Sequence, residues 1–266
     1  MARTIRRCWP NSRKPPLHEI LILSSELQLG KFKTQNAKRK TMLLAIDTST
    51  AYTGLACYSE RGLLGECVWQ SGRDHSAQLL PQLSLLLRHL GRGRDEISAV
   101  AVALGPGSWS GLRVGMSTAK GFALARGVPV IGVGTLDALA YQHDRSGVTT
   151  IPLIRLGRER FASGTMPRHG DKRRSIEPRN VMLAELAAET TGRALFCGDT
   201  DPDVQAALRE LLGARAIFAT PAASMRRPGY LAEIAWQRFQ AGDTDDVATL
   251  EPIYLGQPVR AKPVEG

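Results

Sequence analysis

The apolar positions of this chain repeat with two different periods, and each period predicts one kind of element. Short apolar runs bounded by glycine or small polar residues predict strands, whereas leucines spaced three or four positions apart predict helices. The first half of the body follows the order strand, strand, strand, helix, strand, helix, strand, helix. The predicted elements cover 43–47, 53–59, 63–70, 76–90, 98–104, 110–125, 129–133 and 135–142. A turn at Gly62 makes the first three strands an antiparallel meander.

From Gly147 onward the pattern loosely restarts. The later predicted strands are 149–155, 161–165, 174–177 and 194–197, and the later predicted helices are 182–189, 203–212 and 230–241. Strands that alternate with helices predict an α/β fold with mixed sheets. We therefore expect two related subdomains over 42–146 and 147–225. A late helix and a tail over 226–266 follow them, and this segment could return to the first subdomain.

The predicted helix over 76–90 carries more leucines than one buried face requires. Ser76 is its predicted N-cap. Pro81 removes one backbone donor from the helix interior and predicts a kink. Leu85 falls outside the apolar stripe. The stripe itself consists of Leu79, Leu80, Leu83, Leu86, Leu87 and Leu90.

A glycine loop joins the fourth predicted strand to the next helix, with the sequence Gly105-Pro106-Gly107-Ser108-Trp109-Ser110-Gly111-Leu112-Arg113-Val114-Gly115. Ser110 is predicted to cap this helix and Gly127 to end it. Backbone N–H groups at a helix N-terminus bind anions, and phosphate is the usual one. The loop therefore predicts a phosphate site. The alternative is that its glycines only permit a tight turn.

A second polar turn, Asp47-Thr48-Ser49-Thr50, follows the first predicted strand. If that strand lies beside the strand before the glycine loop, both turns face one cleft. An Asp at a strand end can hold a metal-bound water, and the hydroxyl residues can donate to a phosphate. The alternative is a turn whose polar groups satisfy one another. The predicted nucleotide-binding residues are Asp47, Thr48, Ser49, Thr50, Gly105, Gly107 and Ser108.

The net charge of +10 is concentrated at the N-terminal end. Residues 1–41 hold ten of the 35 Lys and Arg residues but two of the 25 Asp and Glu residues, so they carry +8 and leave +2 for 42–266. The nearly neutral body argues against a broad nucleic-acid groove. The basic extension is either a transit peptide or the result of a true translation start at Met42. We favour the start at Met42, because a strand follows it without a linker, and expect 1–41 to be disordered and dispensable.

Cysteine usage and hydropathy restrict the expected cellular setting. The four cysteines, Cys8, Cys57, Cys67 and Cys197, show no CxxC spacing. This usage favours a reducing compartment, and we expect the protein in the cytoplasm. No apolar run reaches the length of about 18 residues that a bilayer span requires, so the sequence predicts no membrane segment.

Five segments of the chain together resemble one protein family. They are Met42-Leu-Leu-Ala-Ile-Asp47-Thr-Ser-Thr50, His75-Ser-Ala-Gln-Leu-Leu-Pro81, the glycine loop, Gly132-Val-Gly-Thr135-Leu and Glu251-Pro-Ile-Tyr-Leu255. In order and spacing they make 42–258 resemble the bacterial TsaB family of the TsaD, or glycoprotease-like, superfamily. The resemblance implies an actin-like, sugar-kinase-like ATPase fold of ribonuclease-H type. It also implies a role in making threonylcarbamoyladenosine in tRNAs that read codons beginning with A.

In that family the TsaB chain is a non-catalytic subunit. The resemblance implies a heterodimer with a catalytic TsaD-like subunit, joined by a TsaE-like ATPase, with ATP or ADP, Mg²⁺ and tRNA acting at the level of the complex. The five histidines here include no His-x-x-x-His pair of the kind that TsaD-like enzymes carry, and no GxxxxGK[ST] loop occurs. We therefore expect no catalytic residue, no metal site and no certain cofactor in this chain.

One segment departs from the family pattern. The second subdomain of the family commonly opens on a strand end that contains an acidic residue, where this chain has Arg155. A cation there repels Mg²⁺, although it can attract phosphate. Arg158 and Arg160 follow as candidates for tRNA contacts, or as solvated surface charges.

Small residues on the second predicted helix indicate a docking surface. They recur every four positions, so a partner backbone could come close along that stripe. Together with the first helix, the stripe could form half of a helical bundle, where the resemblance places the TsaD-like subunit. A homodimer could use the same surface, and the alternative is that the stripe packs on this protein's own sheet. The predicted interface residues are Leu79, Leu83, Leu86, Gly111, Gly115 and Ala119.

Two other classes of function follow from the same residues. The first is an enzyme, either ATP-dependent and kinase-like or a threonylcarbamoyl transferase acting on its own, and the kinase version would use Asp47 as a metal-bound base and the glycine loop as a phosphate cradle. A glycoprotease is disfavoured, because no motif places a Ser-His-Asp or Cys-His set. A direct tRNA-binding module would need a basic surface, which the nearly neutral body argues against. A nucleotide titration and a tRNA gel shift separate these alternatives.

Overall fold

The structure, a computed structural model, describes residues 41–72, 74–144, 147–165 and 175–255. The predicted extension up to residue 40 and the tail after residue 255 lie outside the described residues. The described residues belong to one compact unit. This unit contains two five-stranded sheets.

The first sheet joins its strands in the order β3-β2-β1-β4-β5. The strands are β1 (Met42–Asp47), β2 (Tyr52–Ser59), β3 (Gly62–Gln70), β4 (Ile97–Gly105) and β5 (Val130–Gly134). The first three pair in antiparallel fashion, as the turn at Gly62 predicts. Strands β4 and β5 continue the sheet parallel to β1. The mixed sheet predicted from the sequence is therefore confirmed.

The second sheet has the order β10-β9-β6-β7-β8. Its strands are β6 (Thr149–Arg155), β7 (Phe161–Ser163), β8 (Arg179–Val181), β9 (Ala194–Gly198) and β10 (Ala216–Phe218). The predicted strand over 174–177 is wrong, because 175–177 lie outside any strand and β8 begins two residues later. Strand β10 has no counterpart among the predicted elements.

Seven helices are described along these sheets. They are α1 (His75–His89), α2 (Trp109–Arg126), α3 (Thr135–Gln142), α4 (Leu183–Glu189), α5 (Pro202–Leu212), α6 (Pro221–Ser224) and α7 (Pro228–Gln240). All except the four-residue α6 correspond to predicted helices. Among these described helices, none is both long enough and apolar enough to cross a bilayer.

Both faces of the first sheet are covered, because successive residues of a strand point to opposite sides. On one face, Leu44 and Ile46 pack with the leucines of α1 and the small side chains of α2. On the other face, Leu43 and Ala45 pack with α7. The helix from the end of the described chain thus completes the core of the sheet from its beginning.

Helix α1 begins one residue earlier than predicted and buries a narrower face. Asp74 precedes the helix, so Ser76 lies within its first turn and does not cap it. Pro81 lies inside the helix without ending it. Leu80 is exposed, because a rotation of about 100° per residue takes it away from the buried stripe. The buried leucines are Leu79, Leu83, Leu86 and Leu87.

Helix α2 is bounded by one predicted residue and one corrected residue. Gly127 ends it in the left-handed conformation, at φ +61°, as the sequence predicts. Ser108 and not Ser110 caps its start, since the Ser108 hydroxyl accepts a hydrogen bond from the Gly111 N–H. The helix therefore begins at Trp109, and more of the glycine loop belongs to it than expected.

Candidate functional site

The ends of β1 and β4 bring the polar turn and the glycine loop together, because these strands are parallel neighbours. The Ser108 N–H donates to the Ser49 carbonyl across 2.6 Å. The Thr48 hydroxyl donates to the Gly111 carbonyl across 2.7 Å. The two turns therefore meet at one edge of the sheet, as the sequence predicts.

Three glycines allow this close contact. A Cβ atom at Gly107 would overlap the Ser49 carbonyl, and one at Gly111 would overlap the Thr48 carbonyl. At Gly115, one turn further along α2, a Cβ atom would overlap the Thr48 hydroxyl. These positions require glycine because the turn after β1 occupies the space that a side chain would take.

The stripe of small residues on α2 faces this protein's own core. The fold buries Gly111, Gly115 and Ala119. In this structure the stripe therefore packs on the protein's own sheet, which is the alternative to a docking surface. The leucines that were expected to join the stripe at an interface lie in the same core; they are Leu79, Leu83 and Leu86. A partner that binds to α1 or α2 must therefore contact the solvent-exposed side chains of these helices.

Two hydrogen bonds from Ser49 and an ion pair with Arg226 engage the Asp47 carboxylate. Oδ1 accepts hydrogen bonds from the Ser49 N–H at 2.9 Å and from the Ser49 hydroxyl at 2.5 Å. Oδ2 lies 3.8 Å from Nε of Arg226, which precedes α7, and the two side chains are 9% and 11% exposed. The structure therefore shows the alternative in which the polar groups of the turn satisfy one another. The Arg226 guanidinium lies beside this turn.

His75 supports the polar turn from inside the fold. Its Nδ1 atom lies 2.7 Å from the Thr53 hydroxyl and 3.0 Å from the Ser71 hydroxyl, and these hydroxyls are 2.8 Å apart. Burial lowers the pKa of His75, against the opposing effect of Asp47 and Asp74. This cluster joins β2, the end of β3 and the start of α1 beneath the turn.

A cleft of about 820 Å³ lies beside the two turns and reaches the second sheet. Its apolar lining includes Ile154, Leu156 and Leu255. The charged residues that line it are Arg155, Asp199 and Arg226. A largely apolar cleft with a few convergent polar groups is the usual form of a small-molecule site. The cleft is therefore the candidate binding site of this chain.

Two aromatic rings stand at this cleft. The Trp109 and Tyr254 centroids are 6.1 Å apart, and both residues line the cleft. The Arg113 guanidinium lies 4.4 Å from the centroid of the Trp109 ring. Trp109 is nevertheless 57% exposed. An exposed tryptophan in a cleft wall presents a π-face on which a planar ligand can stack.

The charge of Arg155 is paired within the second half of the chain. Its Nη2 atom lies 2.5 Å from Oδ2 of Asp201, and its Nη1 donates to the Arg158 carbonyl across 3.0 Å. The guanidinium also lies 4.8 Å from the Phe161 ring centroid. The backbone N–H of Arg155 donates to Oδ2 of Asp199 across 2.8 Å. This departure from the family pattern therefore forms a local ion pair in the wall of the cleft.

Sequence patterns identify the two turns of this site but not the residues that complete it. Arg226 and Asp199 lie in segments without a motif, so only folding brings them to the turns. Trp109 and Tyr254 belong to segments that carry the family resemblance. Nothing in the sequence distinguishes their exposed rings from buried ones.

Comparison with known proteins places the chain among tRNA-modification proteins. The family model for TsaD, tRNA N6-adenosine threonylcarbamoyltransferase, matches residues 69–257. The tRNA threonylcarbamoyladenosine biosynthesis protein TsaB of Bacillus subtilis (strain 168) is 29% identical over 217 residues, which cover 80% of this chain and 93% of that protein. The protein of the same name from Escherichia coli (strain K12) is 28% identical over 235 residues, covering 84% and 98%.

A solved structure shows the same fold. YeaZ from Pseudomonas aeruginosa matches with a TM-score of 0.67 at 21% identity, over 81% of this chain and 100% of that chain. The two mixed sheets, their helices and the cleft define an α/β protein with an actin-like, sugar-kinase-like ATPase fold. Within that class, the chain belongs to the TsaB family of TsaD-like proteins.

Proposed function

We propose that this chain is a non-catalytic subunit of the complex that adds the threonylcarbamoyl group to adenosine in tRNAs reading codons that begin with A. Two relatives named as TsaB biosynthesis proteins, each matched over more than 90% of its length, support the process. The observation that carries the non-catalytic role is Asp47, whose oxygens are engaged by Ser49 and Arg226. These contacts support a structural role for Asp47 in the turn after β1.

The proposed partner is a TsaD-like catalytic subunit, and a TsaE-like ATPase and tRNA join through the complex in the cytoplasm. The match of 69–257 to the TsaD family model supports a fold shared with that partner. Two chains of one fold can pair through the same surface of each, as in an isologous dimer. In the absence of the partner, this surface would form a homodimer.

The proposed docking surface is the solvent-facing side of α1 and α2. The small residues and leucines first predicted for this role are buried, but both helices also present apolar side chains to solvent. Leu124 on α2 is 68% exposed and Leu80 on α1 is 53% exposed. Partner subunits commonly cover apolar side chains of this kind.

Reconstitution tests the proposed role. The full chain is combined with the TsaD-like and TsaE-like proteins of the same organism, tRNA, ATP, Mg²⁺ and a supply of threonylcarbamoyl adenylate. We expect threonylcarbamoyladenosine only when this chain and the TsaD-like subunit are both present. Product from this chain without the TsaD-like subunit would establish the enzyme alternative. An unchanged yield without this chain would exclude it from the reaction.

A pair of leucine variants tests the docking surface. Leu124→Asp places a charge on α2, whereas Leu211→Asp makes the same change on α5, where Leu211 is 47% exposed. We expect the first variant to weaken binding of the TsaD-like subunit at least about tenfold, and the second to leave it unchanged. Circular dichroism and melting curves confirm that both variants fold. Equal affinities for the two variants would contradict the proposed surface.

A further inference from the structure

The segment Glu251-Pro-Ile-Tyr-Leu255 carries part of the family resemblance, and the proposed function gives it no role. Its last three residues, 253–255, form a strap that contacts both sheets. The Ile253 N–H donates to the Leu104 carbonyl near the end of β4 across 2.7 Å. Gly105 comes so close that a Cβ atom there would lie 2.7 Å from the Ile253 carbonyl oxygen. The strap therefore begins on the first sheet.

The strap ends on the second sheet. Leu255 packs against a buried cluster that includes Ile154 of β6 and Ala162 of β7. The side-chain amide of Asn180 on β8 donates to the Leu255 carbonyl across 3.3 Å. Between these two ends, the ring of Tyr254 contacts the ring of Trp109 at the start of α2. Three consecutive residues thus connect β4 and α2 to three strands of the second sheet.

The covalent crossings between the two sheets meet at Gln142, the last residue of α3. The chain leaves the first sheet after β5 and returns to it with α7. Gln142 Nε2 donates to the Ala223 and Met225 carbonyls across 2.6 and 3.0 Å. Its Oε1 accepts the Arg227 N–H across 3.2 Å. Hinges between domains are formed by a few residues at the ends of elements, so these joined crossings have the form of a hinge.

We propose that the strap locks this hinge and holds the cleft at one width. Three residues span at most about 10 Å, so the strap has no slack to follow a rotation that moves the sheets apart. Its residues Tyr254 and Leu255 line the cleft together with Trp109, so the lock acts in the cleft wall. The lock requires no partner subunit and therefore stands or fails separately from the proposed function.

Pulsed electron paramagnetic resonance on the full chain tests the lock. Spin labels are attached through Ser117→Cys on α2 and Arg158→Cys after β6, two exposed positions in different halves. Cys8→Ser and Cys67→Ser remove two native thiols, and the other two are buried. We expect one distance in the parent. In Tyr254→Ala and in Leu255→Ala, a second, longer distance should appear in at least about a tenth of the molecules.

Tyr52→Ala is the matched control. Tyr52 lines the same cleft and is 40% exposed, against 44% for Tyr254, but it belongs to β2 and lies outside the strap. We expect this variant to keep the single distance of the parent. Amide exchange provides a readout without labels. The Ile253 N–H should exchange at least about tenfold faster in Tyr254→Ala, and at the parental rate in Tyr52→Ala.

Two results would overturn the proposal. The first is a parent chain that already shows the second distance to the same extent as the strap variants. The second is an unchanged distance in every strap variant that melting curves show to be folded. Tyr254 is exposed, so its variant remains informative if Leu255→Ala fails to fold.

Discussion

Asp47 and Asp137 are both largely buried carboxylates, and their neighbours compensate the charge to very different extents. Asp47 receives two hydrogen bonds from Ser49 and faces the Arg226 guanidinium. Asp137, on α3, accepts the Ile176 N–H across 2.5 Å. Burial raises the pKa of Asp137 to about 6, and the hydrogen bond from Ile176 offsets this only in part. The charged form of Asp137 is therefore less favourable in the folded protein than in the unfolded chain.

The stability contribution of Asp137 should fall as the pH rises. Its folded pKa of about 6 lies above the ordinary value of 3.8, so the stabilisation is complete below about pH 4 and is lost as the pH rises through 6. Asp137→Asn keeps an acceptor for Ile176 and cannot ionise. We expect this variant to match the parent in urea unfolding near pH 4 and to exceed it by about 2–3 kcal/mol at pH 8.

Asp201 provides a control with the opposite sign. Its pKa is lowered, chiefly by the hydrogen bond from the Val204 N–H and further by Arg155. Its stabilisation is therefore present above the ordinary pKa and is lost as the pH falls. Asp201→Asn should destabilise at pH 7 and do so less in acid. A difference between Asp137→Asn and the parent that did not vary with pH would contradict the assignment.

At the scale of elements, α2 packs both on the core of the first sheet and on the turn after β1. Its glycines admit the turn after β1, and Met116, Ala119 and Ala123 face the core of the first sheet. The side chains that remain outside include Arg113 and Leu124. The buried glycine stripe and the proposed docking surface therefore lie on opposite sides of this helix.

Two glycine variants on α2 test this packing. Gly111→Ala places a Cβ atom on the Thr48 carbonyl, which is backbone and cannot move without shifting the turn. We expect it to lower the free energy of unfolding by about 1–3 kcal/mol. Gly121→Ala lies on the same helix with nothing within 4 Å of the new Cβ atom, and should raise stability by about 0.5–1 kcal/mol. Equal stability of the two variants in urea would refute the close packing at Thr48.

Elements of five or more residues could be predicted because they show a period, whereas β7 is the one three-residue strand among the described residues that was predicted. Helix α2 and its stop at Gly127 follow from the glycine loop that precedes it and the glycine that ends it. Strands β8 and β10 span three residues each and depend on neighbours for their pairing. The N-cap prediction at Ser110 was wrong because Ser108 and Ser110 are equally suitable by residue type. Only the hydrogen bond from the Gly111 N–H to the Ser108 hydroxyl distinguishes them.

At the scale of the whole molecule, α7 connects distant parts of the described chain. It lies late in the chain and packs on the first sheet. Leu231, Ala232 and Ala235 share a core with residues of β1 and β4. An ion-pair cluster fixes the far end of the helix, where Arg238 Nη1 donates to the Gly132 carbonyl across 2.6 Å. Asp245 accepts the Gly132 N–H across 2.7 Å and faces Arg238. The beginning and the end of the described chain therefore form one folding unit.

Truncation of a single side chain of α7 should destabilise β1 and β4. Leu231 is fully buried against them, so Leu231→Ala should cost about 2–5 kcal/mol and speed amide exchange in both strands. Leu211→Ala on α5 is the matched control and should cost less than about 1 kcal/mol, because Leu211 is exposed. Exchange in β1 that is unaffected by Leu231→Ala would show that α7 does not complete this core.

The sequence by itself determined the longer elements and their order, the antiparallel meander and the family. These properties depend on local periods, on turn residues and on motifs whose members lie close together in the chain. It also raised both alternatives for the glycine stripe and for Asp47. It could not choose between them, because each choice depends on a contact with a distant residue.

Only the tertiary structure decided those contacts. Thr48 fills the space beside Gly111 and Gly115, which are separated from it by more than sixty positions in the chain. Arg226 reaches Asp47 from just before α7, and α7 itself covers β1. Local patterns carry no information about such long-range neighbours. The physical role of a carboxylate or a glycine depends on which neighbours share its buried space, and folding alone brings them there.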